Sequence, residues 1–282
     1  MPKVDWERCQ ENHSNALSER IQGHLCRQSR AEKHPIYDFL FEYYSFRASH
    51  LIRWTPGVGV ILENADLAGW SWGPFVKRDQ GIWLDASLFP RQRREGLNWT
   101  LQLLQEINKK PPFLACFGLH EWAMVTDVED VRHQQLPLRL SHHEIVKIVK
   151  NQSICCTHFD AFRFFSKTAK PWNHYQPTTR NRRSLEQPGC IHANMDLYKW
   201  AYKFYPWISS DILRDAFDLA WKSRVIDMQA SPYDVSMFGY EAIKIETESG
   251  RQIYQSKQKE LSEIAKAIRE RLIETMLVLK NS

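Results

Sequence analysis

Gln187-Pro-Gly-Cys-Ile-His192-Ala-Asn-Met-Asp196-Leu-Tyr-Lys-Trp-Ala-Tyr202-Lys-Phe204-Tyr-Pro206 decides how this chain reads. It predicts a helix over 191–205, stopped by Pro206, which cannot continue a helix. His192 and Asp196 stand four residues apart, so a helix presents imidazole and carboxylate on one face. Ala201, Trp200 and Leu197 make the rest of the segment apolar, as in a helix buried among others.

A second stretch repeats its offsets. His34-Pro-Ile-Tyr-Asp38 is followed by Tyr44 and Phe46, as His192 and Asp196 are followed by Tyr202 and Phe204. Two such helices face to face would hold a metal ion, as bundle proteins do with ligands on opposed helices. The competing reading is a plain structural His–Asp hydrogen bond in each copy.

Working outward, helical periodicity dominates. The pattern predicts a polar helix over 3–30 with Leu17, Ile21 and Leu25, and a central helix over 35–50, apolar nearly all round. Further helices are expected at 90–109 (Leu97, Leu101, Leu104, Ile107), at Phe113–Met124, and at 142–151 after the N-cap Ser141. Two more span 211–228 (Leu213, Phe217, Trp221, Val225) and 256–279 (Leu261, Ile264, Ile268, Leu272). Gly57–Glu63 and Gly81–Asp85 read as short strands or extended loops. Glu241–Thr247 and Arg251–Tyr254 read as a hairpin around Gly250. Residues 168–190 read as a long loop, a feature that is usually functional or mobile. The expected fold is mainly α: a single-domain, helical bundle-like architecture over 1–282, with a few short strands or hairpins. Within it, 1–30 forms an N-terminal arm and 31–282 the core.

Composition narrows the function without fixing it. The 11 Trp and 14 Phe either stack on a planar ligand or fill a core, and core filling is the commoner use. With 38 Lys and Arg against 33 Asp and Glu, the charge permits a nucleic-acid partner without demanding one. The basic clusters Arg91/Arg93/Arg94 and Arg180/Arg182/Arg183 read as solvated surface, with a phosphate-bearing ligand as the sharper alternative. None of the 6 Cys forms a C-x-x-C pair, which speaks against a thiolate zinc site. The first 26 positions are mostly polar and charged, and no run approaches the ~18 apolar residues that span a bilayer. A cytoplasmic protein with no membrane partner is expected.

The histidines sort by surroundings. His34, His120, His158 and His192 lie in apolar runs with Asp38, Glu121, Asp160 and Asp196 nearby. His13, His133, His142, His143 and His174 lie in polar stretches and read as exposed. Burying an imidazole–carboxylate pair costs desolvation, so four such pairs point to a site. This ligand set suits iron or manganese better than soft thiolate-bound ions. The first-choice ligands are His34, Asp38, His192 and Asp196, followed by His158 and His120. Asp227, Asp160 and Glu121 are candidates for acid–base work, and Arg163 for clamping an anion or neutralising Asp160. Asp227 reads equally as a ligand, with a plain helix-end or turn role as the competing reading. Cys155-Cys156 before His158 is a weaker thiol-nucleophile candidate, with no basic neighbour to activate it.

Several blocks together resemble a known group of proteins. They are His34-Pro-Ile-Tyr-Asp38-Phe-Leu-Phe-Glu-Tyr-Tyr-Ser45, Leu119-His-Glu-Trp-Ala-Met124, Thr157-His-Phe-Asp-Ala-Phe-Arg-Phe-Phe165, Gln187–Tyr202 and Asp227-Met-Gln-Ala-Ser-Pro-Tyr-Asp234. The chain is similar over about 33–255 to a bacterial family commonly labelled "3-methyladenine DNA glycosylase". That resemblance implies excision of alkylated purines from DNA. One of Asp38, Asp160, Asp196 or Asp227 would then activate water or steady a sugar cation, while Trp122, Trp200 or Tyr198 stacks the flipped base. No Gly-x-Gly hairpin with a following catalytic Asp occurs. The leading expectation is therefore a metal-dependent enzyme, oxidative or hydrolytic, acting on a small aromatic or anionic substrate. A glycosylase and a non-catalytic helical ligand-binding protein are its alternatives.

Overall fold

The computed structural model describes residues 1–127 and 135–282. The fold is mainly α, with one small sheet. Contacts divide the chain into two compact units. Unit 1 comprises Met1–Gln105, Leu197–Asp218 and Ala267–Ser282, and unit 2 comprises Glu106–Asp196 and Leu219–Lys266. The cuts at 105/106, 196/197, 218/219 and 266/267 all fall inside helices. No Pro- or Gly-rich linker can mark such a boundary, so it is not legible in the sequence.

Unit 1 begins with α1 (Lys3–Ser29), α2 (Phe39–Tyr44) and α3 (Ala48–Ile52). The strands β1 (Ile61–Glu63), β2 (Phe75–Arg78) and β3 (Gly81–Leu84) follow, and then α4 (Arg94–Lys109). The sheet is antiparallel in the order β1-β3-β2, with Leu62 opposite Ile82 and Val76 opposite Trp83. Leu62, Phe75, Ile82 and Leu84 pack with Trp6, Trp54 and Trp70 in one cluster. The tryptophans here are core residues, as their number suggested. β2 was not expected, because only Phe75 of its four residues is buried and no alternation marks it.

The expected helix over 35–50 is broken, and the first His–Asp copy is not helical. His34 Nδ1 accepts the backbone N–H groups of Ile36 and Tyr37, and Asp38 accepts that of His34. Such local side-chain bonds offer the backbone an alternative to the helix. Asp38 stands at the N-terminal boundary of α2 without a side-chain capping bond, and Ser45 turns left-handed at φ 53° before α3.

His13 also departs from expectation: it is buried on α1, with Nε2 2.7 Å from the Leu51 carbonyl and Nδ1 unpartnered. Nε2–H therefore donates, and burial holds the ring's pKa below its ordinary 6.5. Below that pH the unfolded chain binds the proton more readily, so stability is full above 6.5 and declines as pH falls through it. Urea unfolding between pH 7.5 and 5 should show this decline, and His13→Gln should flatten it. An unchanged slope in that variant would show that His13 does not titrate out of place.

Unit 2 holds α5 (Leu119–Ala123), α6 (His142–Asn151), α7 (Phe159–Phe162) and α8 (Arg182–Leu185). It also takes the first half of α9 (Ile191–Lys203), the second half of α10 (Ser210–Ala230) and the start of α11 (Glu248–Asn281). α6 has the predicted bounds, set by a capping box between Ser141 and Glu144. The expected helix Phe113–Met124 shrinks to α5, because Phe117 (φ 48°) and Gly118 (φ 75°) turn left-handed just before it.

The expected hairpin at 241–254 is helix instead, from Glu248 onward. Gly250 marks a close approach, not a hairpin turn: a Cβ there would overlap the Lys244 carbonyl. On α10 the predicted stripe holds for the buried Leu213 and Phe217 and then drifts. Trp221 and Val225 are half-buried, while Arg224, Asp227 and Met228 face inward. The long loop 168–190 carries α8 and is pinned by Gln187, whose side chain bonds both backbone groups of Phe113. His142, His143 and His174 reach the surface in part or whole, and His133 lies outside the described residues. No helix among the described residues is long and apolar enough to cross a membrane.

Candidate metal centre

α5, α9 and α10 bring His120, His192 and Asp227 together, and all three side chains are buried. One imidazole nitrogen from each His and one Asp227 oxygen lie within 4.8 Å of one another. His120 Nε2 is 2.7 Å from Asp227 Oδ1, and His192 Nε2 is 4.0 Å from Asp227 Oδ2. Around them stand Arg224, whose Nη1 donates to Glu121 at 2.9 Å and to Asp227 at 3.5 Å, and Cys116, whose Sγ is 3.3 Å from His120 Nδ1.

The charges of this group are set by burial against neighbours. Burial alone would lower the His120 pKa, but the Asp227 carboxylate and Cys116 outweigh it and hold it well above 6.5. Burial would raise Asp227, but His120, His192 and Arg224 pull it below the usual carboxylate range. His192 is held well below 6.5 by burial and by His120, so its lone pair is available near neutral pH. Burial pushes Glu121 up despite Arg224.

In a second group, His158, Asp160 and Asp196, one nitrogen or oxygen of each side chain also lies within 4.8 Å of the others. Its hydrogen bonding argues against a ligand role for His158. Nδ1 accepts the Ala161 N–H, capping α7. A neutral imidazole has only one acceptor nitrogen, so the proton sits on Nε2. That N–H faces Asp196 at 3.3 Å and Glu186 at 3.7 Å. Arg182 joins the same carboxylates, 2.7 Å from Glu186 and 3.4 Å from both Asp160 and Asp196. This is an ion-paired network, built by α7, α8 and α9.

The site residues read from the sequence separate accordingly. His120 and His192 meet, together with Asp227, for which the sequence offers the roles of base or ligand. His158, Asp160 and Asp196 form the neighbouring network. His34 and Asp38 join neither group. Asp38 instead pairs with Arg27 and His24, and His34 stacks on Tyr37. The first copy is a turn in unit 1, so it lacks the helix face that its matched offsets predicted.

Arg163 lies over the Phe164 ring and 3.7 Å from Asp160, which matches neutralisation and not a buried clamp. Trp122, Tyr198 and Trp200 are buried core residues, and Trp122 Nε1 donates to the Ala230 carbonyl. A flipped base has no exposed ring to stack on at these positions. Cys155 and Cys156 have thiol pKa values pushed up by burial, so neither is an activated nucleophile.

Sequence reasoning missed several members. Arg182 was read as surface, although Glu186 four residues on was a legible i,i+4 partner. Arg224 stands three residues before Asp227, which is the same kind of signal. Cys116 stands four residues before His120, again the same kind of signal. No family model, no curated protein and no solved structure matches the chain.

Proposed function

We propose that this chain is a metal-dependent enzyme whose ion, iron or manganese, is held by His120, His192 and Asp227. The observation that carries the reading is the buried convergence of two imidazoles and one carboxylate from three helices. Atoms bound to one ion at about 2.0–2.2 Å lie roughly 3–4 Å from one another, so these need only small shifts to close on an ion. Two His and one carboxylate leave coordination positions open for substrate or dioxygen, and nitrogen with oxygen suits iron and manganese. Cys116 supports the assignment. With His120 Nε2 on a metal, Nδ1–H points at the Cys116 sulfur, the kind of outer contact that fixes a ligand's tautomer. The chemistry is oxidative or hydrolytic, on a small anionic or aromatic substrate.

Elemental analysis of protein purified without chelator tests the proposal. About one iron or manganese per chain is expected, lost when His120→Ala and His192→Ala are combined and kept in His158→Ala and His34→Ala. Substoichiometric metal that the double variant leaves unchanged would favour a non-catalytic role for these His–Asp pairs, as braces between buried elements.

A further inference from the structure

Tyr254 stands on the first turns of α11 and is completely buried. Its hydroxyl has no hydrogen-bond partner. A buried, unpaired hydroxyl is costly, and most buried polar groups in folded proteins are satisfied. Burial raises the pKa of this hydroxyl, and the charges of Asp227, Cys116, Cys190 and Glu121 raise it further. The ring lies against Gly118, two residues before His120. The ring is also seated with care. A Cβ on Gly118 would come within 3.3 Å of Tyr254 Cε2 and 3.5 Å of Cζ, so the left-handed glycine before α5 leaves room for the phenol.

We infer that Tyr254 is a ligand-binding residue of the metal centre, its hydroxyl donating to the atom that fills an open coordination position. The inference rests on the metal reading above. The ligand class follows from the chemistry of the donor. A phenol O–H next to an ion favours a small anion or an oxygen-bearing group whose metal-bound atom keeps a lone pair to accept the hydrogen bond. A phenyl ring in its place fills the same volume and lacks only the donor.

The test uses cobalt(II)-loaded full-length protein titrated with azide and followed by visible absorption. Tyr254→Phe should bind cobalt with wild-type stoichiometry and spectrum. Its azide affinity should fall about tenfold, the equivalent of one lost hydrogen bond. Tyr198→Phe is the control. Tyr198 also has a buried hydroxyl without a partner, but it packs among Tyr44, Phe46 and Phe217. Azide affinity should not change there. Urea unfolding should find Tyr254→Phe at least as stable as wild type, because the variant removes an unsatisfied group.

Equal azide affinity in wild type and Tyr254→Phe overturns the inference and leaves the metal reading standing. A clear loss of stability in Tyr254→Phe also overturns it, since the hydroxyl would then be engaged within the fold. Failure of the wild-type protein to bind cobalt overturns the metal reading, and this inference falls with it.

Discussion

Asp227→Ala is expected to destabilise the protein by about 3–5 kcal/mol, the cost of breaking a buried ion pair from one side. Asp227 is fully buried, and its carboxylate faces His120 at 2.7 Å and Arg224 at 3.5 Å. Removing it leaves the Arg224 guanidinium with Glu121 and deprives His120 of the partner that keeps it charged. The imidazole can respond by losing its proton, but the guanidinium cannot. Most of the loss should therefore come from Arg224. Combining Asp227→Ala with Arg224→Met should recover part of it, and the double-variant cycle measures the coupling. Urea denaturation of chelator-treated protein at pH 7 reads the effect. A single-variant loss below about 1 kcal/mol would place the pair in the range of surface contacts and refute a tightly buried centre.

Arg182→Met should have a comparable effect, about 3–5 kcal/mol, in the neighbouring network. The Arg182 side chain is only 11% exposed and bonds Asp160, Glu186 and Asp196. Burial works against its charge, but Glu186 and Asp196 outweigh burial and raise its pKa. Without the guanidinium, neighbouring carboxylates face one another in a buried place, and each disfavours ionisation of the next. The folded chain would then bind protons more readily than the unfolded one. The loss should accordingly be largest near pH 7 and shrink as pH falls towards the carboxylate range. Unfolding curves for wild type and variant at pH 7 and pH 5 test this. A deficit that stays constant with pH would mean that lost packing of the arginine stem, not carboxylate repulsion, sets the cost.

Much of the fold was legible because it is local. The bounds of α6 follow from Ser141 and Glu144, and α4 buries its predicted face of Leu97, Leu101, Leu104 and Ile107. Errors arose where a local pattern met a competing local bond or a distant partner. Pro35 and the aromatic run after it suggested one helix, but the His34 and Asp38 side chains took the backbone N–H groups instead. Glu248-Ser-Gly250 suggested a turn, whereas the glycine serves close contact with Lys244 at a helix start.

The site divides along the same line. The sequence by itself determined that imidazoles and carboxylates lie in apolar runs, and that His192 and Asp196 share a helix face. It also determined a mainly helical chain, because hydrophobic periodicity and caps act within a few residues of one another. Only the tertiary structure decided which of these groups meet. His192 and Asp196 divide their contacts between two networks, and Asp227, 107 residues from His120 in sequence, completes the first. Matched spacing in His34 and His192 carries no information about that meeting. Coordination and ion pairing depend on distances of a few ångströms between side chains, and those are fixed by how α5, α9 and α10 pack, not by the order of residues within any one of them.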